Sequence, residues 1–192
     1  MRIVGIDPSL SRTGLCILED GETPVTASIR VDSKDSIFKR QRSIVEEVRL
    51  QLTRNDVVVL EDFGVSARFA PSGRYIERIE LCGMLKLIVP AITRLPWLSV
   101  APTMLKSFIT GKSSAHKCDM LQAVQSRWDV QAANDDEADA FGLARYALAA
   151  IDQEPMYTRK ITKFEKYGLN REHLAMIRFV LTTIRKKPAQ VL

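Results

Sequence analysis

No stretch of this chain approaches the roughly 18 consecutive apolar residues of a membrane span, and no basic-then-apolar leader precedes its first apolar run. A soluble protein of the cytosol is the expectation. Cysteine is scarce: Cys16, Cys82 and Cys118 are odd in number, far apart and without the paired spacing of a zinc site, so reduced thiols are expected. His116 stands alone in its helical segment, which favours a structural role over metal ligation. The glycine that a phosphate-binding loop requires is missing too. Gly111-Lys112-Ser113-Ser114 resembles the tail of G-x-x-x-x-G-K-S/T, but the upstream glycine position holds Lys106 and no strand leads directly into it.

What is present fits one domain with a sizeable core, plus a short appendage. Residues 1–150 carry 19 Lys and Arg against 19 Asp and Glu, whereas residues 151–192 carry 9 against 4, so the formal excess of +5 lies in the tail. A basic appendage suggests a polyanionic partner, with a solvated helical face as the plainer alternative.

Ile3, Val4 and Ile6 around Gly5 read as a buried strand that stops on Asp7. Pro8, Ser9, Ser11 and Gly14 read as a turn, residues 15–18 as the returning strand and residues 25–31 as a third. Ile37, Ile44, Val45, Val48 and Leu52 recur at helical spacing over residues 36–53. Residues 57–60 form a second buried-type strand, which ends on Glu61-Asp62. Residues 63–71 read as a loop. A helix follows over residues 75–89, with Ile76, Ile79, Gly83, Met84, Leu87 and Ile88 as its stripe and Pro90 as its stop. Gly83 could serve core packing or the close approach of another helix, in the domain or across a dimer. A strand at 97–101 leads to a helix opened by Pro102, with Met104, Leu105, Phe108 and Ile109 on one side. Ser114 is the expected cap of a helix over 115–128.

The alanine-rich segment 134–149 predicts a tightly packed helix with Asp136 and Asp139 on one face near its start. Acids there can serve simple capping, but Asp139 borders small apolar packing positions. That placement favours a functional use for the pair. An isolated Asp7 could likewise be a turn cap; two strands each ending in a carboxylate make convergence at one sheet edge the sharper expectation. Asp7, Glu61, Asp136 and Asp139 together would repel one another unless cations were present. Two divalent ions would balance them, and hard oxygen donors select Mg²⁺ or Mn²⁺. Such a pair serves phosphodiester hydrolysis by metal-activated water.

Gly5-Ile6-Asp7-Pro8-Ser9 with Thr13-Gly14, Val59-Leu60-Glu61 and Asp136-Glu137-Ala138-Asp139-Ala140 occur in the order and spacing that resemble the RuvC-like Holliday junction resolvases of the RNase H-like superfamily. The resemblance spans residues 2–150. It implies an α/β fold, a mixed five-stranded sheet flanked by helices, as a nuclease domain over 1–150, with 151–192 as a basic helical extension. It also implies Asp7, Glu61, Asp136 and Asp139 as metal-binding catalytic acids, Lys117 as a further catalytic residue, and Lys106 and Lys117 near the scissile DNA. A homodimer making paired nicks in a four-way or branched DNA junction follows, using two Mg²⁺ ions per site with Mn²⁺ as a substitute.

Ser9 stands where many members carry glycine, and the expected junction-facing aromatic position falls on Gly64. Phe63 or Phe69 is then the candidate wedge, with Arg68 and Arg74 as further DNA contacts. A nuclease for RNA–DNA hybrids or other branched DNA is the competing enzyme reading. A non-catalytic nucleic-acid-binding module is the other alternative, against which four acids in one place would be an obstacle to phosphate.

Overall fold

The computed structural model describes residues 1–62, 73–95 and 97–152, together with Ala175 and Phe179. In chain order these form β1 (Arg2–Asp7), β2 (Arg12–Glu19), β3 (Val25–Arg30), α1 (Ile37–Gln51), β4 (Val57–Glu61), α2 (Gly73–Ile92), β5 (Leu98–Val100), α3 (Pro102–Thr110), α4 (Lys117–Trp128) and α5 (Asp135–Asp152). The strands make one mixed sheet in the order β3-β2-β1-β4-β5. The first three are antiparallel neighbours, whereas β1, β4 and β5 run parallel. None of the described helices is long and apolar enough to cross a membrane.

Side-chain alternation along β1 and β4 divides the core into two layers. Val4, Ile6, Val58 and Leu60 pack with Ile44 and Val48 of α1 and Leu81, Leu85 and Val89 of α2. On the other face, Ile3, Val57 and Val59 pack with Phe108 and Ile109 of α3, Met120 and Val124 of α4, and the alanines of α5. The parallel strands therefore carry apolar residues on both faces, which is why they read as continuous apolar runs.

Two glycines bring α5 against the sheet. A Cβ at Gly5 would lie 2.9 Å from the backbone nitrogen of Ala144, and one at Gly14 would lie 2.5 Å from the carbonyl carbon of Asp136. Gly14 is thus a mid-strand residue paired with Asp7, not part of the turn expected from sequence. Its missing side chain makes room for a helix backbone. The same contacts hold the first turn of α5 above the end of β1.

Helix α2 departs from its expected reading in two ways. It runs through Pro90 to Ile92, because a proline near the end of a helix removes a bond only from the last turns. Its buried face is Leu81, Cys82, Leu85 and Val89, while Ile76, Ile79 and Leu87 are exposed and nothing lies within 4 Å of a Cβ at Gly83. The helix is apolar on two sides, and burying Leu81 and Leu85, each worth about 1.5–3 kcal/mol, sets its rotation.

Helix α3 starts at Pro102 as expected and stops on Gly111 at φ 84°, the left-handed conformation that glycine adopts freely. Gly111-Lys112 therefore terminates a helix. Ser114 is not the cap of α4; His116 is, its backbone N–H donating to the Asp119 carboxylate at 2.9 Å. The extension 151–192 lies outside the described residues apart from Ile151 and Asp152, which continue α5, and the helical positions Ala175 and Phe179.

Candidate active site

Asp7 and Glu61 are the last residues of adjacent parallel strands, one step beyond the Ile6–Leu60 pair. Both are buried, 6% and 7% exposed. The two carboxyl groups lie close enough that each bears on the other's proton affinity. Burial above all, and then the Glu61 charge, pushes Asp7 well above the usual carboxylate range. Burial also raises Glu61, against the pull of the Arg78 guanidinium. Arg78, on α2, donates from Nη2 to Glu61 Oε2 at 2.7 Å and to Asp7 Oδ1 at 3.4 Å, and from Nε to the Pro8 carbonyl at 3.0 Å.

The third acidic segment enters from above the sheet. Asn134 caps α5, its side-chain oxygen accepting from the Glu137 N–H at 3.1 Å. Glu137 accepts from Thr26 and Ser28 of β3 at 3.0 and 2.7 Å. Burial opposes its charge, but these hydrogen bonds with those of Ala133 and Asn134 win and hold its carboxyl below the ordinary range. The residue between the two candidate ligands is thus the bolt that fixes α5 to the sheet edge. Asp136 ion-pairs with the Arg12 guanidinium, which also meets Asp135 at 2.9 Å.

Asp139 is different. Its Oδ1 is buried without a hydrogen-bond partner, and burial, followed by the Asp7 charge, pushes its carboxyl up to about 7. An orphaned buried acceptor beside two buried carboxyls is a site short of positive charge. The donor set, all carboxylate oxygen, suits a hard divalent cation. Among the described residues no three acids, cysteines or histidines are already gathered closely enough to hold one. Three of the four acids instead face arginines.

Lys117 opens α4 and ion-pairs with Asp135; that contact raises the lysine and lowers the acid. Lys106 is partly buried on α3. Phe63, Arg68 and Phe69 lie outside the described residues, and Arg74 lies in the first turn of α2 with its side chain outside them. Arg12, Arg78 and Asp135 were missed from sequence. Arg78 left one trace, since it extends the buried stripe of Leu81 and Leu85 by one helical step and so puts a cation on a core-facing position. An open groove of 750 Å³ lined by Ile109, Lys112, Asp119, Gln122 and Arg127 contains none of the four acids and is not part of the site.

A mixed sheet with acids at the ends of its central parallel strands, and more acids on a helix laid across them, defines an RNase H-like α/β fold with an acidic centre. No protein-family model matches the chain. Curated relatives do: it is 28% identical over 154 residues to the crossover junction endodeoxyribonuclease RuvC of Synechococcus sp. (strain WH7803), covering 75% of this chain and 96% of the relative. It is 29% identical over 174 residues to that of Hydrogenovibrio crunogenus, covering 86% and 97%. Among solved structures, Thermus thermophilus RuvC superposes with a TM-score of 0.59 at 18% identity, covering 80% of this chain and 97% of the other. The same protein in complex with a Holliday junction substrate gives 0.59 at 18%, covering 78% and 94%. In fold and in sequence, the chain is RuvC-like.

Proposed function

We propose that this chain is a structure-selective endodeoxyribonuclease that resolves four-way DNA junctions by metal-assisted phosphodiester hydrolysis. The observation that carries the reading is the unpartnered buried Oδ1 of Asp139, whose carboxyl feels the charge of Asp7, beside the neighbouring strand ends that bear Asp7 and Glu61. Relatives named as crossover junction endodeoxyribonucleases that match almost end to end support it.

Asp7, Glu61, Asp136 and Asp139 would hold Mg²⁺, replaceable by Mn²⁺, and their four formal charges suit two ions. Divalent metal bound there would supply Lewis acidity and an activated water for attack at phosphorus. The chain's own contributions are positional. Glu137 and Asn134 fix α5, the strand ends fix Asp7 and Glu61, and Lys117 and Lys106 offer positive charge to the DNA backbone near the acids. The segment 63–72 and Arg74 follow Glu61-Asp62 closely in sequence, which supports Phe63, Arg68, Phe69 and Arg74 as junction contacts. The basic extension 151–192 adds sequence-independent phosphate attraction.

We propose a homodimer with one site per subunit, so that two strands are nicked in one encounter. The exposed stripe Ile76, Ile79, Gly83 and Leu87 on α2 supports a second copy packing there.

Cleavage of a labelled four-way junction, beside linear duplex and RNA–DNA hybrid of equal length, with Mg²⁺ and with chelator, tests the reading. Symmetric, metal-dependent nicks confined to the junction are expected, and Asp7→Asn should abolish them while junction binding persists. Preference for the hybrid would replace the substrate. Binding without cleavage of any substrate would leave a non-catalytic module.

A further inference from the structure

The four acids of the site do not face solvent as four bare charges. Arg12 is spent on Asp136 and Asp135. Arg78 is the cation at the centre, reaching Glu61 at 2.7 Å and Asp7 at 3.4 Å. It comes from the opposite layer, on the buried side of α2, and its Nε bond to the Pro8 carbonyl anchors it to the turn after β1. The Arg78 side chain is nevertheless 37% exposed, so it closes the site from the solvent side rather than from within the core.

We propose that Arg78 is a positioning residue that serves as the built-in counter-ion of the Asp7–Glu61 pair and competes with divalent metal for the same carboxylate oxygens. This rests on the metal-dependent nuclease reading of the site. Arginine does not lose its proton at any physiological pH, so its charge cannot be removed to make room. A divalent cation on Glu61 Oε2 would face that fixed positive charge at close range. Metal loading therefore requires the Arg78–Glu61 contact to open. Until it opens, Asp7 and Glu61 are held ready in a site that would otherwise be a cluster of buried acids.

The consequence is a trade. Arg78 stabilises the metal-free protein and weakens its hold on metal.

Isothermal titration with Mn²⁺ alone, without DNA, reads this directly on the full chain, alongside melting curves in chelator and in Mn²⁺. Arg78→Gln should bind Mn²⁺ about tenfold more tightly than the unsubstituted protein, the exposure of the Arg78 side chain tempering the effect. It should melt lower in chelator and gain more from Mn²⁺. Arg78→Lys, which keeps the charge without the two-pronged geometry, should fall between the two and serves if the glutamine variant does not fold. Equal or weaker Mn²⁺ binding by the variants, with ordinary binding by the unsubstituted chain, would overturn the role of Arg78 and leave the nuclease reading intact. Absence of Mn²⁺ binding in every form, Asp7→Asn included as the ligand-deficient reference, would overturn both.

Discussion

Gly14 and Asp136 stand backbone to backbone: a Cβ at Gly14 would fall 2.5 Å from the carbonyl carbon of Asp136. Gly14 is in turn the register partner of Asp7. Together with Gly5, this residue without a side chain therefore sets the separation between the sheet that carries the first acid and the helix that carries the last two. Gly14→Ala has nowhere to put its methyl except against backbone, so α5 must lift. The expected cost is about 2–4 kcal/mol in urea unfolding, with Mn²⁺ affinity lost in whatever fraction remains folded. Unchanged stability and unchanged metal binding would show that the helix does not sit on that glycine.

Asp139 gives the metal-free protein a specific pH dependence. Its folded pKa is raised to about 7 from 3.8, so the folded state binds the proton more tightly than the unfolded chain. The associated stability is fully present below about pH 4 and is lost as pH rises through about 7. In chelator, the protein should therefore lose on the order of 2–4 kcal/mol from this group over that window, and Asp139→Asn should flatten the profile there. With metal present the sign of the proton effect on binding reverses. Mn²⁺ affinity should climb with pH up to about 7 as the proton ceases to compete. Denaturant titrations at a series of pH values, with and without metal, check both limbs.

Lys117 is 72% exposed on its side chain and tied to Asp135. An exposed pair of this kind contributes about 0–1 kcal/mol. Lys117→Ala should therefore melt near the unsubstituted protein while cleaving the junction more slowly. If the lysine meets a phosphate, the slope of log affinity against log salt should become shallower by about one. An unchanged slope with unchanged cleavage would confine Lys117 to its ion pair.

Leu87 is 77% exposed on the stripe it shares with Ile76, Ile79 and Gly83. A glutamate there should convert a dimer into a 21.6 kDa monomer by light scattering without lowering the melting temperature of the subunit. Paired nicking should then become single nicking. A dimer that survives Leu87→Glu would have to form elsewhere.

Much of the sheet was legible because its residues obey one rule at a time. Val57 to Leu60 are apolar throughout since both faces are covered, and the acid that ends the run stands out for that reason. Asp7 and Glu61 at strand ends, and Asp136 and Asp139 near the start of α5, stand where the sequence puts them, since carboxylates stand out where neighbouring positions are apolar. Helix α2 was harder to read, because Ile76, Ile79 and Leu87 compete with Leu81, Leu85 and Val89 for the core and periodicity cannot choose between two apolar faces. Gly14 looked like a turn residue because turns and close backbone approaches both call for glycine. Arg12 and Arg78 carry no motif at all. Their partners lie far off in sequence, and only the folded chain shows which carboxylates they neutralise.

The distance along the chain between Asp7 and Asp139 also bears on when the protein becomes dangerous. Residues 1–62 can pair into most of the sheet and expose two acids, yet the remaining acids arrive on α5, the last helix of the described body, seated through Gly5 and Gly14. A partly synthesised or proteolytically shortened chain would carry the nucleic-acid-facing edge without its scissors. If the chain cuts DNA as proposed, completion of the fold doubles as the safety catch.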